Sequence, residues 1–323
     1  MTRRELPLVL LAGMMGARGP HAQQKAMPVI GFLGVGVPGP FAPVVAAFHQ
    51  GLKDAGWVEG QNVAIEYRWA ELRYDRLPAL AADLVGRKVD VIVTSGGISS
   101  TKAVKDVTST IPIVFAGVDN PVGTGLVASL TRPGGNLTGF SVFAPDLMTK
   151  RLELLSELVP QARVFGLLVD PNNQNTQRVI ADVQDAARAK RVQLNILNAS
   201  NDSEMNDAFT NLAPLHVDAL IVNGFFSSRQ HIVPLAAHYA APAMYDWREC
   251  VEAGGLVSYG ARLATVYRLA GIYAGKILDG AKPADLPVQQ PTTFELVVNH
   301  KTTEALGLTI PPLILARANE VIE

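Results

Sequence analysis

The chain has 323 residues, a length that fits two domains of ordinary size. Its 28 Lys+Arg against 29 Asp+Glu leave a net charge of −1, which gives no support to a nucleic-acid binder needing a basic face. Hydrophobic residues at 48% against 18% charged exclude disorder, and the single cysteine, Cys250, excludes an intramolecular disulfide, a cysteine zinc site and an iron–sulfur cluster.

Arg3 and Arg4 precede an apolar run from Leu6 to Ala17, followed by small and polar residues up to Ala22. This charged, apolar, then cleavable order predicts a secretory leader over residues 1–26, hence export; a disordered cytoplasmic tail is the alternative. The run is too short to cross a hydrocarbon core of ~30 Å, and no later segment is long and apolar enough to do so.

From residue 28 onward, short runs rich in Val and Ile alternate with helical patterns. Residues 28–33 read as a strand and 41–55 as an amphipathic helix closed by Gly56. A strand at 63–67 and a helix at 74–85, striped by Leu77, Leu80 and Leu84, come next. Strands at 90–94 and 112–116 complete four, with a short helix between them. The pattern restarts with a helix at 147–158, a strand at 164–169 and a helix at 176–189. Strands at 193–197, 218–222 and 242–245 follow, with helices at 203–212 and 228–240. Continuous apolar strands joined by helices are what a parallel sheet covered on both faces requires. The expected fold is therefore α/β, with two doubly wound parallel-sheet lobes. A lone helix at 261–278 and a lone strand at 294–299 cannot form a third core, so they return to the existing lobes and create a hinged cleft. The expected division is 28–139 plus 262–282 for lobe one, and 140–261 plus 283–323 for lobe two. Hinges are expected near 139–141, 260–262 and 282–287.

Ligands of open parallel sheets lie beyond the carboxyl ends of the strands, where helix N-termini present free N–H groups. The segments at those places are 34–40, 94–100 (TSGGISS), 117–121 (GVDNP), 170–173 (DPNN), 223–228 (NGFFSS) and 246–249 (DWRE). Ser95, Gly96 and Gly97, opening a helix, suit a carboxylate. Phe225, Phe226, Tyr245, Trp247 and Tyr259 are candidates to wall an apolar side chain, with core packing as the alternative for each. Asp119, Asp170, Asp246 and Glu249 are candidates for an ammonium group, or else are N-caps or surface charges.

Enzyme motifs are largely missing: there is no HExxH, no Walker phosphate loop and no GxSxG. Residues 34–39 (GVGVPG) do match GxGxxG directly after the first strand, which keeps a nicotinamide-dependent enzyme as an alternative. Against it, Pro38 and Pro40 flank the third glycine, and Glu66 lies 32 residues from Gly34 rather than the usual ~20. A sensory ligand-binding domain is a further alternative.

Residues 119–139 (DNPVGTGLVASLTRPGGNLTG) resemble the signature of ABC-transporter substrate-binding proteins of the tryptophan/tyrosine type. Residues 51–62 (GLKDAGWVEGQN), 74–84, 251–260 (VEAGGLVSYG) and 286–311 fit the same family. The resemblance implies a type I periplasmic-binding-protein fold, closing over a small carboxylate-bearing ligand and delivering it to a membrane permease. It implies a non-catalytic, periplasmic monomer with no cofactor, no metal and no nucleic-acid partner. Its ligand is an aromatic or apolar amino acid, or an aromatic acid. Carried over by position, the pocket draws on Thr94, Ser95, Gly96, Gly97, Asp119, Asn120, Ser141, Asp170, Asn172, Asn173, Asn223, Phe225, Phe226, Asp246, Trp247 and Tyr259. One departure matters: the loop at 222–228 is shorter than the family's form and lacks an Asp, which keeps an amine-free carboxylate open as the ligand.

Overall fold

The computed structural model describes residues 27–142, 147–224 and 228–323, so the expected leader lies outside the described residues. The first sheet is built from β1 (Val29–Gly34), β2 (Ala64–Trp69), β3 (Val91–Ser95), β4 (Ile113–Val118) and β5 (Leu137–Ser141). All are parallel, in the order β2-β1-β3-β4-β5. Three helices, α1 (Pro38–Asp54), α2 (Leu77–Gly86) and α3 (Ile98–Lys105), fall between its strands in the chain.

Past β5, α4 (Leu147–Leu158) begins a second unit with β6 (Val164–Val169), α5 (Thr176–Lys190), β7 (Gln193–Asn198) and α6 (Asp202–Thr210). It continues through β8 (Ala219–Val222), α7 (Arg229–His238), β9 (Ala243–Tyr245), α8 (Arg248–Glu252) and β10 (Val257–Gly260). These five strands repeat the first sheet's order as β7-β6-β8-β9-β10, all parallel. After the long α9 (Leu263–Leu278), β11 (Glu295–Asn299) joins antiparallel to β10, and α10 (His300–Ala305) and α11 (Pro312–Arg317) lead to the edge strand β12 (Glu320–Ile322). The protein therefore consists of two doubly wound α/β lobes.

Side chains of successive strand residues point to opposite faces, so each buried sheet separates two cores. In the first lobe, Ile30, Phe32, Val91 and Val93 pack with α1 and α9 on one face. Leu33, Ile92, Ile113 and Phe115 pack with α2 and α3 on the other. In the second, Phe165, Leu167 and Ile221 face α4 and α5, while Leu168, Leu220 and Val222 face α6 and α7. Helix α9 meets α1 at backbone distance: a Cβ on Gly51 would stand 1.8 Å from the Arg268 carbonyl, and one on Gly271 would stand 2.2 Å from that of Phe48. Only glycine permits this approach.

The structure adds strands that the residue pattern does not announce. β5 reads LTGFS and β10 reads VSYG; each lacks a continuous apolar run, yet β5 is wholly buried. Residues 283–289, expected in lobe two, lie against lobe one instead. Ser141 N–H donates to Gln289 O, Gln289 N–H to Gly139 O, and the Thr138 hydroxyl to Leu286 O. The chain crosses between lobes after β5, after β10 and between Gln289 and β11.

Candidate functional site

A sheet in the order 2-1-3-4-5 has its topological switch point where the chain's crossovers turn to opposite sides, and ligands bind there beyond the carboxyl strand ends. Both lobes turn this end toward the cleft. A cavity of about 220 Å³ lies there. From the first lobe it is lined by Val35, Gly36, Phe41, Tyr74, Gly96, Gly97, Gly117 and Asp119. From the second come Arg151, Asp170, Asn173, Asn175, Asn223, Gly224, Asp246 and Trp247, and Leu263 and Tyr267 come from α9. A wider hollow of about 930 Å³, lined by Met27, Trp57, Asp90 and Lys282, lies elsewhere, around the start of β1.

The walls touch across the cleft. Asp119, just past β4, accepts a hydrogen bond from Asn175 Nδ2 at 2.9 Å and lies 3.8 Å from Arg178 Nη2. Asn175 sits at the N-cap of α5 but turns its amide across the cleft rather than capping its helix. The Tyr74 hydroxyl reaches Asp170 in the opposite direction. Arg229, at the start of α7, donates from Nη2 to Pro40 O at 2.8 Å. Trp247 packs against cores of both lobes.

Three carboxyls in these walls are shifted upward. Burial raises Asp119, opposed by the Arg178 guanidinium; Asp246 raises it further and Arg151 lowers it. The Asp119 side chain keeps 29% exposure, directed into the cleft that it lines. Asp170 is raised by burial as well, against the Asn172 amide that bonds it. Asp246 is deeper, at 4% exposure. Its Oδ2 accepts from Gly224 N–H at 2.6 Å and Asn223 Nδ2 at 3.3 Å, and its Oδ1 lies 2.5 Å from Arg151 Nη1. That last approach is off-angle for a hydrogen bond, so the contact is Coulombic. Burial raises Asp246, and the Arg151 charge is the chief opposing effect.

Of the residues expected from the sequence, Gly96, Gly97, Asp119, Asp170, Asn173, Asn223, Asp246 and Trp247 line the cavity. Phe225 and Phe226 lie outside the described residues. The others point elsewhere, each for a local reason. The Thr94 hydroxyl pairs with that of Thr101 at 2.8 Å, and the wholly buried Ser95 hydroxyl pairs with Tyr267. Asn120 folds back in its own turn to accept from Gly123 N–H at 2.9 Å. Ser141 is fully buried in β5 beside Gln289, and Asn172 is exposed on the surface. Tyr259 contributes its carbonyl to Arg151, while its ring packs on Phe294. Tyr245 sits in the second lobe's core, and Glu249 does not reach the cavity.

The GxGxxG stretch also has a structural explanation. A Cβ on Gly34 would stand 2.4 Å from the Trp69 ring, and Gly39 has nothing within 4 Å. Contrary to the sequence expectation, α1 already runs at Pro38, which suits a first helical position. Pro38 and Pro40 remove two N–H groups from that first turn, which weakens it as a phosphate seat. Lining residues the sequence reading missed include Phe41, Tyr74, Arg151, Asn175, Asp202, Leu263 and Tyr267. Arg151 carried a signal, being the one charge in the buried stripe Met148, Leu152, Leu155 and Leu158.

Comparison with known proteins agrees with this architecture. The chain is 28% identical over 264 residues to the tyrosine-binding protein of Clostridioides difficile (strain R20291), covering 81% of this chain and 75% of that one. A conserved domain protein of Vibrio cholerae superposes with a TM-score of 0.83 at 26% identity, covering 91% of this chain and 99% of that one. An ABC domain from Streptococcus pneumonia in complex with L-Trp superposes at 0.80, with 26% identity, 91% of this chain and 100% of that one. The two-lobe arrangement is that of type I periplasmic binding proteins. Among the described residues, no helix is long and apolar enough to cross a membrane. Residues 40–322 match the family description throughout, and the chain belongs to the ABC transporter substrate binding proteins.

Proposed function

We propose that this protein is the exported, non-catalytic receptor of an ABC importer, and that it binds one L-amino acid with an aromatic or apolar side chain. The observation that carries this reading is the cavity between the lobes. Its volume of about 220 Å³ falls below the ~300–1,000 Å³ of sites for drug-sized ligands, which suits a single amino acid. Among the described residues its lining has four acids, Asp119, Asp170, Asp202 and Asp246, against one cation, Arg151. Asp246 is paired with Arg151 and Asp119 stands 3.8 Å from Arg178, so the excess that remains, Asp170 and Asp202, is still negative and favours an amine-bearing ligand over an amine-free carboxylate. Asp119 receives the ammonium; Phe41, Trp247 and Leu263 form the apolar wall. A tyrosine-binding protein and an ABC domain in complex with L-Trp among the similar chains support the same class.

In this reading the first lobe, with α9, and the second lobe move as bodies about the three crossings. Residues 1–26 direct export to the periplasm, and the closed form engages the permease as a monomer. Contacts from both lobes favour closure in proportion to the ligand's differential affinity for the two forms.

A thermal-shift panel on residues 27–323 tests the reading, with L-tyrosine, L-tryptophan, L-leucine, the matching amine-free acids, and NAD. A ligand at about 100 times its Kd should raise the midpoint by roughly 5–10 °C. Shifts confined to amino acids support the assignment. A shift with NAD alone contradicts it and moves the active part of the molecule to residues 34–39.

A further inference from the structure

Among the described residues, Arg151 is the one cation that lines the cavity. It is 3% exposed, on the apolar face of α4, just after the first crossing between lobes. A guanidinium removed from water needs its five donors accounted for. Nε donates to Tyr259 O at 2.8 Å, and Nη1 stands 3.1 Å from Met148 Sδ and 2.5 Å from Asp246 Oδ1. Among the described residues no acceptor engages Nη2. That nitrogen lies beside Gly260, where a Cβ would stand 3.5 Å from it, next to the cavity-lining Ala261.

The remaining face of this group is thus a pre-set donor. Its plane is held on one edge by a carbonyl and on another by a carboxylate, so little freedom is lost when an anion arrives. Across the cleft stands Asp119, whose carboxyl lies within electrostatic reach of both Arg151 and Asp246. An acid on lobe one and a guanidinium on lobe two form the two seats that a zwitterionic head group requires.

We propose that Arg151 receives the ligand's carboxylate through Nη2 while Asp119 receives its ammonium, so that one α-amino acid head group ties the two lobes together. The assignment rests on the amino-acid reading above and names its carboxylate partner. It replaces the Gly96 and Gly97 amides in that role. Those amides follow β3, in the same lobe as Asp119, so a head group held by them and Asp119 bonds to one lobe alone and gives closure no polar contribution.

Calorimetry on residues 27–323 compares L-tyrosine with tyramine, L-tryptophan with tryptamine and L-leucine with isoamylamine, pairs that differ only in the carboxylate. On the unaltered chain the amino acid of the best-binding pair should be about 10–100-fold tighter than its amine, as for a charge-assisted hydrogen bond. Arg151→Met combined with Asp246→Asn leaves no unpaired buried charge, and should bring that ratio close to unity. Arg151→Lys keeps the charge but loses the fork, and should give an intermediate ratio; it carries the test if the double variant does not fold. A ratio unchanged in the folded variants overturns the assignment and returns the carboxylate to Gly96 and Gly97. If no amino acid in the panel binds the unaltered chain, the amino-acid reading fails, and the Arg151 assignment with it.

Discussion

Ser95 and Asp119 stand at the ends of neighbouring strands and do different work. The Ser95 hydroxyl is wholly buried against Tyr267, so Ser95→Ala strands the tyrosine hydroxyl without a partner. The expected loss is about 1–3 kcal/mol of unfolding free energy, with ligand affinity nearly unchanged. Urea unfolding and calorimetry on the same variant separate the two effects; weakened binding at full stability would restore Ser95 to the site. Asp119 is the opposite case. Burial holds its carboxyl above the ordinary value of 3.8, so the ligand-free closed form takes up a proton more readily and is favoured as pH falls. An ammonium ligand needs the ionised carboxylate, so affinity should run the other way and weaken as pH drops toward 3.8 through the raised value. Asp119→Asn should weaken binding and flatten that slope in a series of Kd measurements against pH. An unchanged slope would assign the titration to Asp170 or Asp246, which burial also raises.

At the scale of elements, the α1–α9 contact explains why a helix late in the sequence belongs to the first lobe. Gly51 and Gly271 let the two backbones meet, and Phe48, Leu52, Ala270 and Ala274 fill the rest of the seam. Gly271→Ala should force the helices apart at a cost of about 1–3 kcal/mol, read as a lower urea midpoint with an unaltered slope. A variant as stable as the parent would mean the seam is looser than the structure has it. These elements also show what was legible beforehand. The apolar runs at β1, β3, β4, β6 and β8 announce buried parallel strands, because sheets covered on both faces select Val and Ile at nearly every position. β5 and β10 carry no such run; their burial comes from neighbours that are distant in sequence, such as Gln289 for β5 and β11 for β10. The candidate site was half legible for the same reason. Strand ends announce Gly96, Asp119, Asp170, Asp246 and Trp247. Tyr74 and Arg151 lie in helical patterns, and tertiary packing alone turns them toward the cavity. Ser95 sits at a strand end too, but a partner 172 residues away claims its hydroxyl.

For the whole molecule, two repeats of one strand order place two sets of polar loops face to face, and three crossings keep them aligned. Contacts such as Asn175 with Asp119 and Arg229 with Pro40 exist only when the lobes are together. A ligand bonded to both lobes adds to these and shifts the molecule toward the closed form. The most direct test is a calorimetric titration of residues 27–323 with L-tyrosine and with its amine-free analogue, 4-hydroxyphenylpropionate. The expected result is saturable one-to-one binding of an amino acid, with the amine-free acid weaker by about 10-fold or more, the amount a charge-assisted contact contributes. Equal affinity for the two would contradict Asp119 as the ammonium seat. Binding of neither, with L-tryptophan and L-leucine also silent, would contradict the account of the cleft as an amino-acid site.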